Sequence, residues 1–150
     1  MRVVIQRVKK ASVTIEESIT SAIGKGLLVL VGIEENDAPE DALWLAHKIA
    51  AMRIFSDAEG KMNLDLLQAG GGLLVVSQFT LHAQTKKGNR PSFIRAARPE
   101  KAIPIYTYFV EQLQLLCGKP VQTGTFGAMM DVELINDGPV TIWMDTAAKE

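Results

Sequence analysis

The chain has 150 residues, of which 47% are hydrophobic and 22% are charged, and its formal net charge is −1. These are the values of one ordinary globular domain, so they exclude a disordered chain and a miniature fold stapled by disulfides. Cys117 is the only cysteine, so no internal disulfide can form, which is typical of proteins from a reducing compartment.

Strand patterns fill the first 33 residues of the chain. Residues 2–8 are rich in Val and Ile, residues 11–16 alternate between apolar and polar side chains, and residues 19–23 can continue as a third strand. Residues 24–26 form a turn, and residues 27–33 are a continuous apolar run typical of a strand buried on both faces. Because the chain enters a strand pattern at once, we expect no signal peptide. The longest apolar run, residues 26–33, is far shorter than the roughly 20 residues of a spanning helix, so we expect no membrane span and a cytoplasmic protein.

Two helices are predicted, separated by another buried strand and a loop. The first helix begins with Asp37 as its N-cap and runs to about Arg53, with apolar residues at helical spacing. Residues 73–79 form the buried strand, and a basic loop follows at about 83–98. The second helix runs from Pro99 to about Cys117, whose thiol we expect to be buried and structural.

The chain ends in three strand-like runs, at residues 120–124, 129–135 and 139–145. The last two flank Asn136–Pro139, where Asp-Gly is a strong tight-turn signal, so we expect a hairpin there. The proline is unusual at this point, because it removes a donor where the return strand should begin to pair. The order of elements is not the strict alternation of a parallel sheet. We expect an α+β fold in one domain spanning residues 1–150, with a mixed or mostly antiparallel sheet curling toward a β-barrel and two main helices packed on it.

The sequence offers no set of residues with the spacing of a metal or cofactor site. The two histidines, His47 and His82, lie on different predicted elements, and no Cys/His cluster has zinc spacing. The glycine-rich turns lack the spacing of a nucleotide-binding fingerprint. We therefore expect neither a metal nor a cofactor.

A hydroxyl and an imidazole lie close together in the sequence after the second buried strand. If the strand continues, Gln78, Thr80 and His82 share one face, and Thr80 could act as a nucleophile with His82 as its base. Residues at this spacing lie too far apart for an automatic hydrogen bond, and no acid is evident to orient the histidine. A hydrolase of small esters is thus one alternative function.

Basic residues are concentrated in one segment of a mildly acidic chain. Residues 86–101 contain six basic side chains and one acid, which gives +5 in the segment and −6 in the remainder. Such a segment can hold phosphates at one place, or it can be an ordinary solvated loop. A non-enzymatic RNA-binding module is therefore a second alternative, although Phe93 is the only aromatic residue of the loop and is expected to be a packing anchor.

Four segments together resemble the D-aminoacyl-tRNA deacylase family over nearly the whole chain. They are Ile5–Val8 followed by Ala11–Val13, Ser77–Leu81, Gly88 with Arg90–Phe93, and Asn136–Thr141. Each segment alone is a weak signal, but the set in this order and spacing is highly specific. The chain departs from the family at residues 16–22, where relatives usually carry a glycine turn, and this should alter a hairpin and leave the site unchanged.

The resemblance implies an enzyme that hydrolyses the ester between a D-amino acid, or glycine, and the terminal adenosine of tRNA. It also implies a homodimer with its site at the subunit interface, with no membrane and no metal. The bond between Gly138 and Pro139 would be cis, and its carbonyls would hold the amino group of a substrate bound to the partner subunit. An L side chain would then collide with the backbone, which makes the selection one of steric rejection.

The resemblance further implies a role for each matching site residue. The catalytic site would be lined by Ser77, Gln78, Phe79 and Thr80, with backbone amides around Phe79 and Thr80 as oxyanion donors. Arg7 would brace the Gly138–Pro139 loop, and Ala102 would contact the adenosine. Phosphates of the tRNA would be held by Lys86, Lys87 and Arg90. The resemblance favours attack assisted by the ribose 2′-hydroxyl over a Thr80 nucleophile.

Overall fold

The computed structural model describes residues 1–150 and contains eight strands, two α-helices and one 3-10 helix. Their bounds are β1 Arg2–Ile15, β2 Ser18–Ile23, β3 Gly26–Gly32, α1 Pro39–Ala51, β4 Phe55–Ser56, β5 Met62–Leu64, β6 Gly72–Ser77, the 3-10 helix η1 Phe79–His82, α2 Pro99–Cys117, β7 Gln122–Thr123 and β8 Asp131–Asp145. Neither α-helix combines the length and the apolar character that crossing a membrane requires.

The main sheet is mixed and is built around β1. Its order is β2-β1-β3-β6-β7, with β8 also paired to β1. The β3–β6 and β6–β7 pairs are parallel, whereas β1 is antiparallel to all three of its partners. The expected α+β fold, with two helices on a sheet that curls toward a barrel, is confirmed. The two strands expected at residues 2–8 and 11–16 are one strand, β1, which pairs with β8 on both sides of an irregularity around Arg7.

Strand β3 is buried on both faces, as its continuous apolar run predicts. Leu27, Val29 and Val31 belong to the main core, together with residues of both α-helices. Leu28, on the other face, packs in a second cluster between β1 and β6. The two α-helices cover one face of the sheet by packing against each other and against the main core. The sheet therefore separates the helical layer from a smaller core inside the curl.

Helix α1 does not begin as predicted, because Asp37 is not its N-cap. The helix begins at Pro39 with Ala38 as N-cap, and Asp41 Oδ2 accepts a hydrogen bond from the Ala38 amide at 3.0 Å. The Asp37 carboxylate is buried and accepts hydrogen bonds from the Glu34 amide and from the N-terminal ammonium.

Helix α2 has the predicted bounds. Burial raises the pKa of the Cys117 thiol, in keeping with a structural role.

Strand β6 ends at Ser77, two residues earlier than predicted. Gln78 makes the last ladder contact by donating its amide to the Val31 carbonyl at 2.7 Å. The next four residues coil as η1, where each residue turns by about a third of a circle. Gln78, Thr80 and His82 therefore do not share one face of a strand, and this expectation is wrong.

The prediction of a C-terminal hairpin is also wrong, because β8 is a single strand paired with β1. Val8 lies opposite Asn136 and Gln6 lies opposite Thr141, so two steps along β1 match five steps along β8. The extra residues of β8 project from the sheet as a bulge at Asn136–Val140, which we call the β8 bulge. Its proline lies where no ladder donor is needed, which explains the residue that was unusual for a hairpin.

The turn between β1 and β2 forces two glutamates into the left-handed region. Ile15 pairs with Ser18, so the loop is Glu16-Glu17, and both residues have positive φ, at 48° and 64°. A two-residue hairpin turn of this kind favours Asn-Gly, because a Cβ atom in this conformation is strained. The departure from the family pattern thus falls on a hairpin, as expected.

We expect the double substitution of Glu16 and Glu17 by Asn and Gly to raise Tm by roughly 3 °C. Relief of left-handed strain contributes about 1 kcal/mol, and a domain of this size gains about 2–4 °C for each kcal/mol. The measurement is thermal unfolding followed by circular dichroism. A matched Ala-Ala variant removes the same two charges and keeps both Cβ atoms. An equal gain in that variant would show that charge repulsion, rather than backbone strain, limits this turn.

Candidate active site

A cavity of about 620 Å³ opens where β6 ends and η1 begins. Most of its lining side chains are apolar, and Arg98 is the only charged one. Three walls form it: Val76–Phe79 with Val31 and Ile33, then Phe93 with Ala96–Pro99 and Ala102, and finally Phe126–Met130 with Val132. A largely apolar cavity of this size, with a few polar groups, is typical of a small-ligand site.

The first wall contains three of the four predicted catalytic residues, Ser77, Gln78 and Phe79. Phe79 is 56% exposed, so its ring faces the opening and not the core. Phe79 and Thr80 begin the 3-10 helix, so their amides have no acceptor within it. Thr80 does not line the cavity, and its hydroxyl accepts a hydrogen bond from the side-chain amide of Gln78.

The second wall is fixed to the sheet by backbone contacts. Ala96 forms an antiparallel bridge with Glu34, and the Ala97 amide donates to the Ile33 carbonyl at 2.9 Å. Phe93 packs edge-on against Phe79 with 5.3 Å between ring centroids, so it is a packing anchor as predicted. Ala102 also lines the cavity, although only 3% of its surface is exposed.

His82 is the last residue of η1, and its buried side chain does not line the cavity. Neither ring nitrogen has a hydrogen-bond partner within the chain, so no bond joins His82 to Thr80. An acid does lie near the ring, contrary to our reading of the sequence, because Glu34 Oε2 is 3.7 Å from Nδ1. That distance is too long for a hydrogen bond. The chain therefore lacks the nucleophile–base pair that an esterase built on Thr80 and His82 needs.

The β8 bulge is held at its base by two side chains. Arg7 is buried, and its Nε lies 3.2 Å from the Asp137 carbonyl and 3.0 Å from Asp137 Oδ2, while Nη1 donates to the Ile54 carbonyl at 2.6 Å. The side-chain amide of Asn136 donates to the backbone carbonyls of Arg7 and Val140, at 3.0 and 3.1 Å, and so closes the bulge across its neck. The bulge is therefore a braced projection.

Gly138 and Pro139 form the exposed tip of the bulge, and the peptide bond between them is cis. Neither residue lines the cavity of its own chain, and Arg7 does not line it either. The structure thus brings Ser77, Gln78, Phe79 and Ala102 together at one place and holds the Gly-Pro tip at another.

The three predicted phosphate contacts, Lys86, Lys87 and Arg90, are exposed and form no ion pair. They lie on a loop whose ends are joined by hydrogen bonds between the backbones of Gln84 and Ser92, at 2.8 and 3.0 Å. The loop leads directly into the second cavity wall. No three His, Cys, Asp or Glu side chains come together as a metal-binding group.

Sequence reasoning did not identify Arg98 or the third wall as part of the site. Arg98 was visible only as one charge in the basic segment, yet it lies at the start of α2 and lines the cavity. Met129 and Met130 were expected in a strand, but the chain is irregular there and β8 begins at Asp131. Met129 is 91% exposed, which places it at the rim.

Comparisons with known proteins point in one direction. The profile of the family described as D-Tyr-tRNA(Tyr) deacylase matches residues 4–145. Proteins named D-aminoacyl-tRNA deacylase from Akkermansia muciniphila and Parabacteroides distasonis are 63% and 61% identical over 150 residues, which is 100% of this chain and of each relative.

Solved structures extend the comparison to the fold. A structure of c-Myc DNA Unwinding Element Binding Protein aligns with a TM-score of 0.92 and 40% identity, covering 99% of this chain and 100% of that one. A probable eukaryotic D-amino acid tRNA deacylase aligns with a TM-score of 0.80 over 95% of this chain and 97% of its own length. At 17% identity, the second likeness shows the fold alone.

We expect Arg7→Lys to reduce the free energy of unfolding by roughly 2 kcal/mol, because one ammonium cannot replace the contacts to both Asp137 and Ile54. Urea unfolding measures the loss. The matched control is Lys10→Met on the same strand, since Lys10 makes only an exposed ion pair with Glu133, at 3.1 Å. Equal, small losses in both variants would show that Arg7 does not brace the bulge.

Proposed function

The chain belongs to the D-Tyr-tRNA(Tyr) deacylase family of ester hydrolases, and we propose that it cleaves D-aminoacyl-tRNA and glycyl-tRNA while sparing L-aminoacyl-tRNA. The observation that carries this proposal is the apolar cavity at Ser77–Phe79, next to an exposed basic loop. A cavity of about 620 Å³ is within the usual size range of small-ligand sites, which supports an aminoacylated adenosine as its occupant. We propose that the enzyme works in the cytoplasm.

The basic loop supports a tRNA substrate in preference to a free amino acid ester. Lys86, Lys87 and Arg90 have no acidic partner, so their charges are available to phosphates. Such contacts position the nucleic acid without reading its sequence. Arg98, at the cavity itself, supplies a positive charge close to where the 3′ end of the tRNA would enter.

For the chemical step, we propose that the amides of Phe79 and Thr80 stabilise the oxyanion formed on the ester carbonyl. They are the free N–H groups at the start of η1, and Phe79 lines the cavity. The ribose 2′-hydroxyl of the substrate assists attack on the ester, because no side-chain base lies beside the wall. The Thr80 hydroxyl accepts a hydrogen bond from Gln78, and the candidate base His82 is buried without a bond to it.

For the choice between D and L substrates, we propose that the Gly138–Pro139 tip enters the cavity of a second copy of the chain. The tip is exposed, braced at its neck by Arg7 and Asn136, and absent from the cavity of its own chain. Its backbone carbonyls are acceptors for a substrate ammonium, and a rigid backbone leaves no space for an L side chain. Glycine has no side chain to be rejected. The active unit is therefore a homodimer.

Two other functions account for less of the structure. A small-ester hydrolase built on Thr80 and His82 lacks the required hydrogen bond and places its histidine outside the cavity. A non-enzymatic module is compatible with the basic loop, and one relative of this fold is named for DNA binding. Such a module leaves the cavity and the braced bulge without a purpose, so deacylation is the better proposal.

The experiment that tests the function offers the purified protein the same tRNA charged with D-tyrosine, L-tyrosine or glycine. We expect D-tyrosyl-tRNA and glycyl-tRNA to be cleaved, and L-tyrosyl-tRNA to be cleaved at least about 100-fold more slowly, because steric rejection acts on every L side chain. Spontaneous hydrolysis without protein is the baseline. Binding of all three tRNAs without release of any amino acid would favour the non-enzymatic module.

The role of Thr80 has its own test. We expect Thr80→Ala to retain activity within about tenfold, because the hydroxyl only orients Gln78, whereas loss of a nucleophile costs about 10⁴-fold or more. Single-turnover release of D-tyrosine from its tRNA measures the chemical step. Thr80→Val is the control that keeps the shape of the side chain. A loss of about 10⁴-fold in both variants would make Thr80 the nucleophile.

A further inference from the structure

His82 is a buried polar group that the proposed chemistry does not use. Its side chain is 1% exposed, and neither ring nitrogen has a partner within the chain. The ring packs so closely over β3 that a Cβ atom added to Gly32 would lie 3.0 Å from His82 Cδ2. An apolar ring would fill this space without burying two unpaired nitrogens. The choice of histidine therefore points to a role beyond packing.

The ring faces a carboxylate that links the two principal walls of the cavity. Glu34 Oε2 lies 3.7 Å from His82 Nδ1 and 2.9 Å from Arg95 Nη2. Glu34 is mostly buried, and its backbone forms the bridge to Ala96 in the second wall. Its carboxylate thus lies between η1, whose Phe79 belongs to the first wall, and the segment that carries the second wall.

Other charged groups around this cluster are already engaged. Arg2 donates to the Leu81 carbonyl at 3.0 Å from the β1 side and pairs with Asp145 at 2.8 Å. Asp37 accepts from the Glu34 amide at 2.7 Å. The 3.7 Å approach of Glu34 to His82 is therefore the contact of this cluster that is not already a hydrogen bond.

We propose that His82 is a positioning residue for deacylation, which acts through Glu34 to hold η1 in register with the Arg95 segment. This inference rests on the proposed function, because the proposed function is what assigns the amides of Phe79 and Thr80 as oxyanion donors. Displacing such donors lowers the rate of the chemical step, since they act only on charge that develops in the transition state. Displacement of these donors leaves the apolar lining that binds the substrate in place.

The test compares His82→Leu, which keeps an apolar side chain, with His82→Asn, whose amide nitrogen takes a position similar to Nδ1. We expect His82→Leu to lower kcat for D-tyrosyl-tRNA by roughly tenfold with KM within about twofold, and His82→Asn to recover most of that loss. We expect Glu34→Gln to lower kcat to a similar extent, and the double variant with His82→Leu to be no worse. His47→Leu, on the exposed face of α1, is the control and should leave both constants unchanged.

Equal losses in His82→Leu and His82→Asn, a change confined to KM, or additive losses in the double variant would each overturn this role. A second measurement separates loss of the link through Glu34 from unfolding of the variant and from failure of the proposed function. The NMR signals of the Arg95 guanidinium should shift in folded His82→Leu and remain near their original positions in His82→Asn. An unchanged Arg95 signal in both variants would overturn the link through Glu34. If the unmodified chain releases no D-tyrosine, the proposed function fails, whereas the Arg95 signals still report on the link.

Discussion

The central constraint in this fold is the mismatch between β1 and β8 around Arg7. Pairing on both sides of the mismatch fixes the ends of the β8 bulge, so its surplus residues can only project from the sheet. The buried guanidinium of Arg7 then ties the projection to the backbone at Ile54, next to the core. A rigid tip follows from this arrangement, and a rigid tip is what steric selection by backbone requires.

The same sheet places the cavity away from that tip. Parallel pairing of β3 with β6 aligns the ends of these strands, and η1 begins two residues after the last residue of β6. The second wall reaches the same place through the Ala96 bridge and the start of α2. Binding surface and projecting tip thus belong to different parts of one chain, which supports our proposal that two copies complete each other's site.

Much of the fold could be predicted from local patterns, and two of the failures have the same physical cause, a contact between residues far apart in the sequence. Periodicity identified β3 and α2, because burial on both faces or on one helical stripe leaves a signal in consecutive residues. Asp-Gly predicts a tight turn wherever it occurs, but the pairing of β8 with β1 joins residues about 130 positions apart and makes it a bulge instead. The approach of Glu34 to His82 depends likewise on a contact between distant segments, so no spacing in the sequence reveals it.

The most direct measurement of the shared site is complementation between two defective chains. One carries Phe79→Glu in the exposed cavity wall, the other lacks residues 137–139 of the bulge, and the two are purified together through different tags as a mixed dimer. If each site combines the cavity of one subunit with the tip of the other, the mixed dimer has one intact site of two and regains about half of the normal deacylase activity. A mixed dimer as inactive as its parents would contradict a site shared between subunits.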